Sequence, residues 1–185
     1  MISFDGNGQP YQGYLSRADG GGPGVLVIQE WWGLVGHIKD VADRFASAGF
    51  TALAPDFYHG KSTTEPDEAG SLMMALNIAD AEKVIQGAVK ALLSDPACTS
   101  TKAGVVGFCM GGQLSLFAAS INPQIGACVD FYGIHPNVQP NFANLKAPVL
   151  GLFAEHDDYA SLAAVAALSQ TLSQHGVEHE FKTYA

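Results

Sequence analysis

The segment Val105-Val106-Gly107-Phe108-Cys109-Met110-Gly111-Gly112 holds the residues with the clearest chemistry in this chain. It sets a thiol in a G-x-C-x-G frame between an apolar strand and a helical run. A nucleophile on a strand-to-helix bend sits in a strained backbone conformation with its side chain lifted clear of the sheet. Gly107 and Gly111 are what such a bend demands, because a Cβ at either would collide with the neighbouring strand or helix. A helix beginning near Met110 adds a dipole that favours a thiolate and free N–H groups that bind an oxyanion. The chemistry is acyl transfer to sulfur. Two plainer readings compete: a buried structural cysteine beside a close-packed turn, and a dinucleotide-binding loop, whose G-x-G-x-x-G spacing is not met. The strand-turn-helix context favours the nucleophile. Cys98 in a loop and Cys128 within an apolar strand read as structural.

The elements that must position this bend follow from short apolar runs alternating with helical periodicity. Strands are expected at 24–28, 50–54, 103–107, 125–131, 148–153 and 181–184. Helices are expected at 37–48, from Leu72 in one long run to Leu93, at 111–119 and at about 161–175. Residues 60–70 read as a polar loop, and Gly49 closes the first helix as a C′ residue. Alternation of this kind means a mostly parallel sheet with helices on both faces. Residues 2–4 and 11–15 flank a glycine-rich turn and predict an antiparallel hairpin at the sheet edge. There is no repeat or linker, so one domain over 1–185 is expected.

Composition sets the limits on partners. The chain has 185 residues, 48% hydrophobic and 15% charged, with a net charge of -9. An acidic surface repels phosphate backbones and anionic lipid, so neither nucleic acid nor a membrane is expected as a partner. Arg17 and Arg44 are the only arginines, too few for bidentate phosphate clamps. No run approaches the ~18 apolar residues of a membrane span, and the first residues carry no export signal. Three cysteines without zinc spacing suit reduced thiols in a cytoplasm, with no metal and no disulfide framework. The composition leaves oligomeric state open.

Three motifs in register resemble one family. Gln29-Glu30-Trp31-Trp32-Gly33-Leu34, Ala54-Pro55-Asp56-Phe57-Tyr58-His59-Gly60-Lys61 and the Cys109 segment together resemble the dienelactone hydrolases, which are α/β-hydrolases with a Cys-His-Asp triad. The resemblance covers nearly the whole chain. It implies Cys109 as nucleophile and Asp157, in Ala154-Glu155-His156-Asp157-Asp158, as the acid that orients the imidazole. Capping of the following helix is then left to Asp158 or Ser161. It also implies oxyanion donors at the N–H groups of Met110 and Trp31, and a Glu30 lying against the nucleophile. A carboxylate there disfavours the thiolate, so Glu30 is expected to keep the resting thiol protonated. The arginine that family members use for a substrate carboxylate is missing after Tyr58. His59 and Lys61 are the candidate cations, which weakens the case for a dienelactone as the substrate while leaving lactone or ester hydrolysis intact.

The third triad member is expected in a loop after the last strand. Of the six histidines, His37, His59, His135, His156, His175 and His179, none stands there. His156 adjoins Asp157, but adjacency does not give a facing pair. The resemblance therefore implies a histidine and a closing helix beyond Ala185, that is, a chain truncated at its C-terminus, with a loss of roughly 10³-fold or more in activity if the base is absent. The reading is a cysteine hydrolase of small-molecule lactones or carboxylic esters, of carboxymethylenebutenolidase type, needing no cofactor. The alternative is an inactive scaffold that binds a small molecule or protein. Thiol redox chemistry lacks a resolving cysteine.

Overall fold

The computed structural model describes residues 1–133 and 135–185. Eight strands form one sheet in the order β1-β2-β4-β3-β5-β6-β7-β8. β1 (Ile2–Asp5) and β2 (Pro10–Ser16) make the expected antiparallel hairpin, and β2 pairs antiparallel with β4 (Thr51–Pro55). From there the sheet is parallel through β3 (Gly24–Ile28), β5 (Ala103–Phe108), β6 (Ile125–Phe131), β7 (Val149–Ala154) and β8 (His179–Tyr184). This is the α/β-hydrolase fold.

Alternation along the buried strands feeds two cores. Leu26, Ile28, Leu53 and Val105 point to the face covered by α3 (Ile78–Leu93) and α4 (Met110–Ile121). Val25, Val27, Ala52 and Val106 point to the face where Ile38, Val41 and Ala42 of α1 (Gly36–Ser47) pack. The last helix, α5 (Leu162–Gln174), is capped by Ser161, whose hydroxyl accepts the Ala164 N–H at 3.3 Å. Asp158 is exposed at the preceding turn.

Two helix boundaries differ from expectation for local reasons. The polar stretch 60–70 already contains the start of α2 (Pro66–Met74), with Pro66 in the first turn and Asp67 and Glu68 complementing the dipole. The single long helix expected from Leu72 is two helices. Asn77 breaks it by capping α3, its Oδ1 accepting the Asp80 N–H at 3.1 Å.

The topology dictates where chemistry can occur. The chain runs outward from β3 to β4, then crosses back so that β5 lies on the other side of β3. Clefts in open α/β sheets form at such a reversal, at the carboxyl ends of the strands. β3, β5, β6 and β7 are consecutive neighbours here, so whatever follows each of them shares one rim. Among the described residues no helix is long and apolar enough to cross a membrane.

Candidate active site

Cys109 follows β5 and caps α4 with φ 55° and ψ −121°. A non-glycine residue in this region is strained and persists only where its surroundings hold it. The surroundings do so from three sides. The Cys109 N–H donates to the Phe131 carbonyl at 3.0 Å, and the Cys109 carbonyl accepts the Gly112 N–H at 2.9 Å. The glycines supply the third restraint. A Cβ on Gly107 would strike the backbone of Gly111, and one on Gly111 would strike the carbonyls of Ile28, at the end of β3, and of Gln29 after it. The side chain of Cys109 is half-buried and reaches the rim.

Four side chains meet at that rim, one from the end of each of four neighbouring parallel strands. Glu30 follows β3, Cys109 follows β5, Tyr132 follows β6 and Asp157 follows β7. The Tyr132 hydroxyl donates to Glu30 Oε1 at 3.3 Å. Burial pushes the Cys109 thiol up. The Met110 N–H bonded to the sulfur pulls the other way, and the Glu30 and Asp157 carboxylates add to the upward push. The Tyr132 phenol is raised to about 12, by burial first and then by the Glu30 carboxylate, with smaller contributions from Cys109 and Asp157.

Asp157 is half-buried, and its Oδ1 accepts the N–H groups of Tyr159 at 2.7 Å and Ala160 at 2.9 Å. Those bonds hold the carboxyl in a tight turn and leave Oδ2 free of them. Met110 opens α4 with a fully buried side chain, its Sδ within 3.3 Å of the Tyr58 hydroxyl. Trp31 follows Glu30 in a loop closed by the Gly33 N–H to the Glu30 carbonyl at 3.3 Å. Its own N–H donates to no acceptor among the described residues. The indoles of Trp31 and Trp32 meet edge to face at 5.0 Å.

The remaining candidates lie on the turn after β4. Asp56 is buried and organises that turn, accepting the Tyr58 N–H at 3.0 Å and the Gly60 N–H at 2.6 Å. Tyr58 is buried, with its phenol pushed upward by burial and by Cys109. The His59 imidazole is bonded to Asp80 on α3 at 2.8 Å, and Tyr11 shares that carboxylate at 2.6 Å. Lys61 is exposed and, with Tyr58 and His59, lines a cavity of about 170 Å³.

The other histidines have partners or positions of their own. His37 and His156 are exposed, His175 ends α5 facing Phe142, and His179 lies between Ser169 Oγ and the Val177 carbonyl. His135 is buried, bonded to the Met73 carbonyl at 3.0 Å and accepting the Asn137 N–H at 3.1 Å. Among the described residues no histidine bonds to Asp157 or Cys109. Cys128 is fully buried against Ser115, and Cys98 is half-buried near Ser100. No group of three ligand-type residues among those described could hold a metal ion.

Sequence reasoning did not anticipate Tyr132. Its signal was the tyrosine-glycine pair directly after the strand beside the elbow, and only the sheet order gives that position meaning.

Comparison with known proteins finds relatives of this chain. The model of the dienelactone hydrolase family matches residues 11–185. Protein usf of Aquifex pyrophilus is 40% identical over all of this chain and 83% of its own length. A carboxymethylenebutenolidase homolog of Rattus norvegicus is 30% identical, over all of this chain and 79% of its own. The solved structure titled m3DLH superposes with a TM-score of 0.87 at 25% identity, covering all of this chain and 80% of that one.

Proposed function

The chain belongs to the dienelactone hydrolase family, and from that premise we propose that it cleaves lactones or carboxylic esters through an acyl-thioester on Cys109. The observation that supports this most is the strained elbow itself. It holds a half-exposed sulfur at the N-terminus of α4, between Glu30 and Asp157. Strain of this kind gathers at functional sites, and here it presents a sulfur.

In the proposed reaction the Cys109 thiolate attacks the substrate carbonyl carbon, and the carbonyl π pair moves to oxygen. The N–H groups of Met110 and Trp31 receive that oxyanion. Collapse expels the alkoxide, which in a lactone stays attached as the opened end of the chain. Water then attacks the thioester, and the acid leaves with the thiol restored. Glu30 acts before attack. Its charge keeps the thiol protonated, so the nucleophile is protected until substrate alters the carboxylate's position. Asp157 orients the general base of the reaction. β8 leaves the sheet at the same rim, where the Tyr184 carbonyl accepts the Glu155 N–H at 2.7 Å, two residues from Asp157. A localisation in the cytoplasm belongs to this reading, as does a small-molecule substrate.

A second reading, a binding scaffold of the same fold, draws on the six histidines, none of which bonds to Cys109 or Asp157 among the described residues. Incubation with p-nitrophenyl acetate separates the two. Release of nitrophenol by the wild type and none by Cys109→Ala supports the enzyme. No release from either supports the scaffold.

A further inference from the structure

β6 contains an acid where none is needed for packing. Asp130 stands among Cys128, Val129 and Phe131 in the interior of a parallel sheet and is fully buried. Its Oδ2 has no partner among the described residues. Burial raises the carboxyl to about 7 despite one stabilising N–H bond. Leaving a polar atom unpaired in the interior is destabilising, so the position calls for an explanation beyond space filling.

The explanation lies in Oδ1, which accepts the Gly133 N–H at 2.7 Å. The parallel ladder runs out at this point. The Tyr132 N–H still finds the Leu152 carbonyl at 2.8 Å, and there the chain leaves the sheet. Tyr132 has φ 42°, a left-handed conformation that an L residue adopts only under restraint. The Leu152 bond restrains it on one side and the Asp130 bond on the other. The carboxyl fits in a slot between Gly112 at the start of α4 and Gly133, since a Cβ on either glycine would strike Oδ1. This turn has two consequences for the site. The Phe131 carbonyl holds the Cys109 N–H, and the Tyr132 hydroxyl holds Glu30.

We propose that Asp130 is a positioning residue for the Cys109 nucleophile, its buried carboxyl locking the turn that presents Tyr132 to Glu30 and the Phe131 carbonyl to the elbow. This rests on the reading of Cys109 as the reactive thiol and adds to it a residue that touches no substrate. Without the lock Tyr132 leaves Glu30, the carboxylate turns toward water, and its charge weighs less on the thiol.

The test is the rate of Cys109 alkylation by iodoacetamide across pH. Asp130→Ala should lower the midpoint by about half a pH unit, making alkylation near neutral pH about threefold faster. Asp130→Leu, which fills the same space without an acceptor, should do likewise if the alanine variant folds poorly. Asp130→Asn keeps the acceptor and should retain the wild-type profile. In a Tyr132→Phe background, Asp130→Ala should add little, a result a merely structural role would not produce. Wild-type profiles in the alanine and leucine variants, or a full additional shift in the Tyr132→Phe background, overturn the proposal while leaving Cys109 reactive. A wild-type Cys109 that does not alkylate overturns the underlying reading as well.

Discussion

The Tyr132 hydroxyl and Glu30 Oε1 meet at 3.3 Å, from the loops after β6 and β3, with β5 and its Cys109 elbow between those two strands in the sheet. A phenol just after β6 is thus bonded to a carboxylate just after β3, and it is the carboxylate that raises the cost of ionising the thiol. The phenol fixes the carboxylate, and the carboxylate acts on the sulfur by charge.

That arrangement predicts the effect of Glu30→Gln. Removing the charge removes one of the causes that lift the thiol, so the midpoint of Cys109 alkylation moves to lower pH. At neutral pH the variant should react faster than wild type. Superimposable pH profiles would remove Glu30 from the account.

Asp157 separates charge from structure. Asp157→Asn retains an Oδ1 that can accept the Tyr159 and Ala160 N–H groups, so its melting temperature should match wild type. Its thiol midpoint should still fall, because the Asp157 carboxylate also lifts Cys109. Asp157→Ala loses both acceptors and should unfold with a deficit of about 1 kcal/mol in urea titration. Equal stabilities for the two variants would show that the turn does not depend on this carboxyl.

The elbow's close packing is tested by Gly111→Ala. The added methyl meets the backbone carbonyls of Ile28 and Gln29, neither of which can rotate aside. Destabilisation of about 1–3 kcal/mol is expected by denaturant unfolding, with slower Cys109 acylation in whatever protein folds. Gly36→Ala, at a helix start with open space around its Cβ position, is the control and should be near neutral.

How much of this was legible in the sequence depended on distance along the chain. The elbow is a local pattern, and its glycines, the end of its strand and the start of its helix lie within the eight consecutive residues 105–112, so periodicity and residue type sufficed. The edge hairpin and the parallel strands were legible for the same reason. The start of α2 was hidden because Pro66, Asp67 and Glu68 look like loop composition, although they suit a first helical turn. Tyr132 and Asp130 were hidden more deeply. Their roles come from the placement of β6 beside β5 and from a turn just beyond the ladder, and spacing along one strand carries neither fact. His59 illustrates the converse. It was a candidate substrate cation by position, and its Asp80 partner lies 21 residues away on a helix that folds back over it.

His135 predicts an acid limb in stability. Burial lowers its pKa below the ordinary histidine value, against the opposing pull of its backbone hydrogen bonds. The unfolded chain therefore takes up the proton first as pH falls. The stability tied to the neutral ring is complete above the unfolded value of about 6.5 and drains away as pH falls toward the lower folded value. Protonation also costs Nδ1 its role as acceptor for Asn137. Urea midpoints measured from pH 7.5 down to pH 5 should fall for wild type and fall less for His135→Gln. Parallel slopes would assign the acid limb elsewhere.

The most direct measurement is the site of acylation. Protein quenched in acid after brief mixing with p-nitrophenyl acetate should carry one acetyl group, and peptide mass spectrometry should place it on Cys109, with Cys98 and Cys128 unlabelled. Cys109→Ala should carry none. An acetyl group on any other residue, or undiminished ester turnover by Cys109→Ala, would contradict the assignment of this sulfur as the nucleophile.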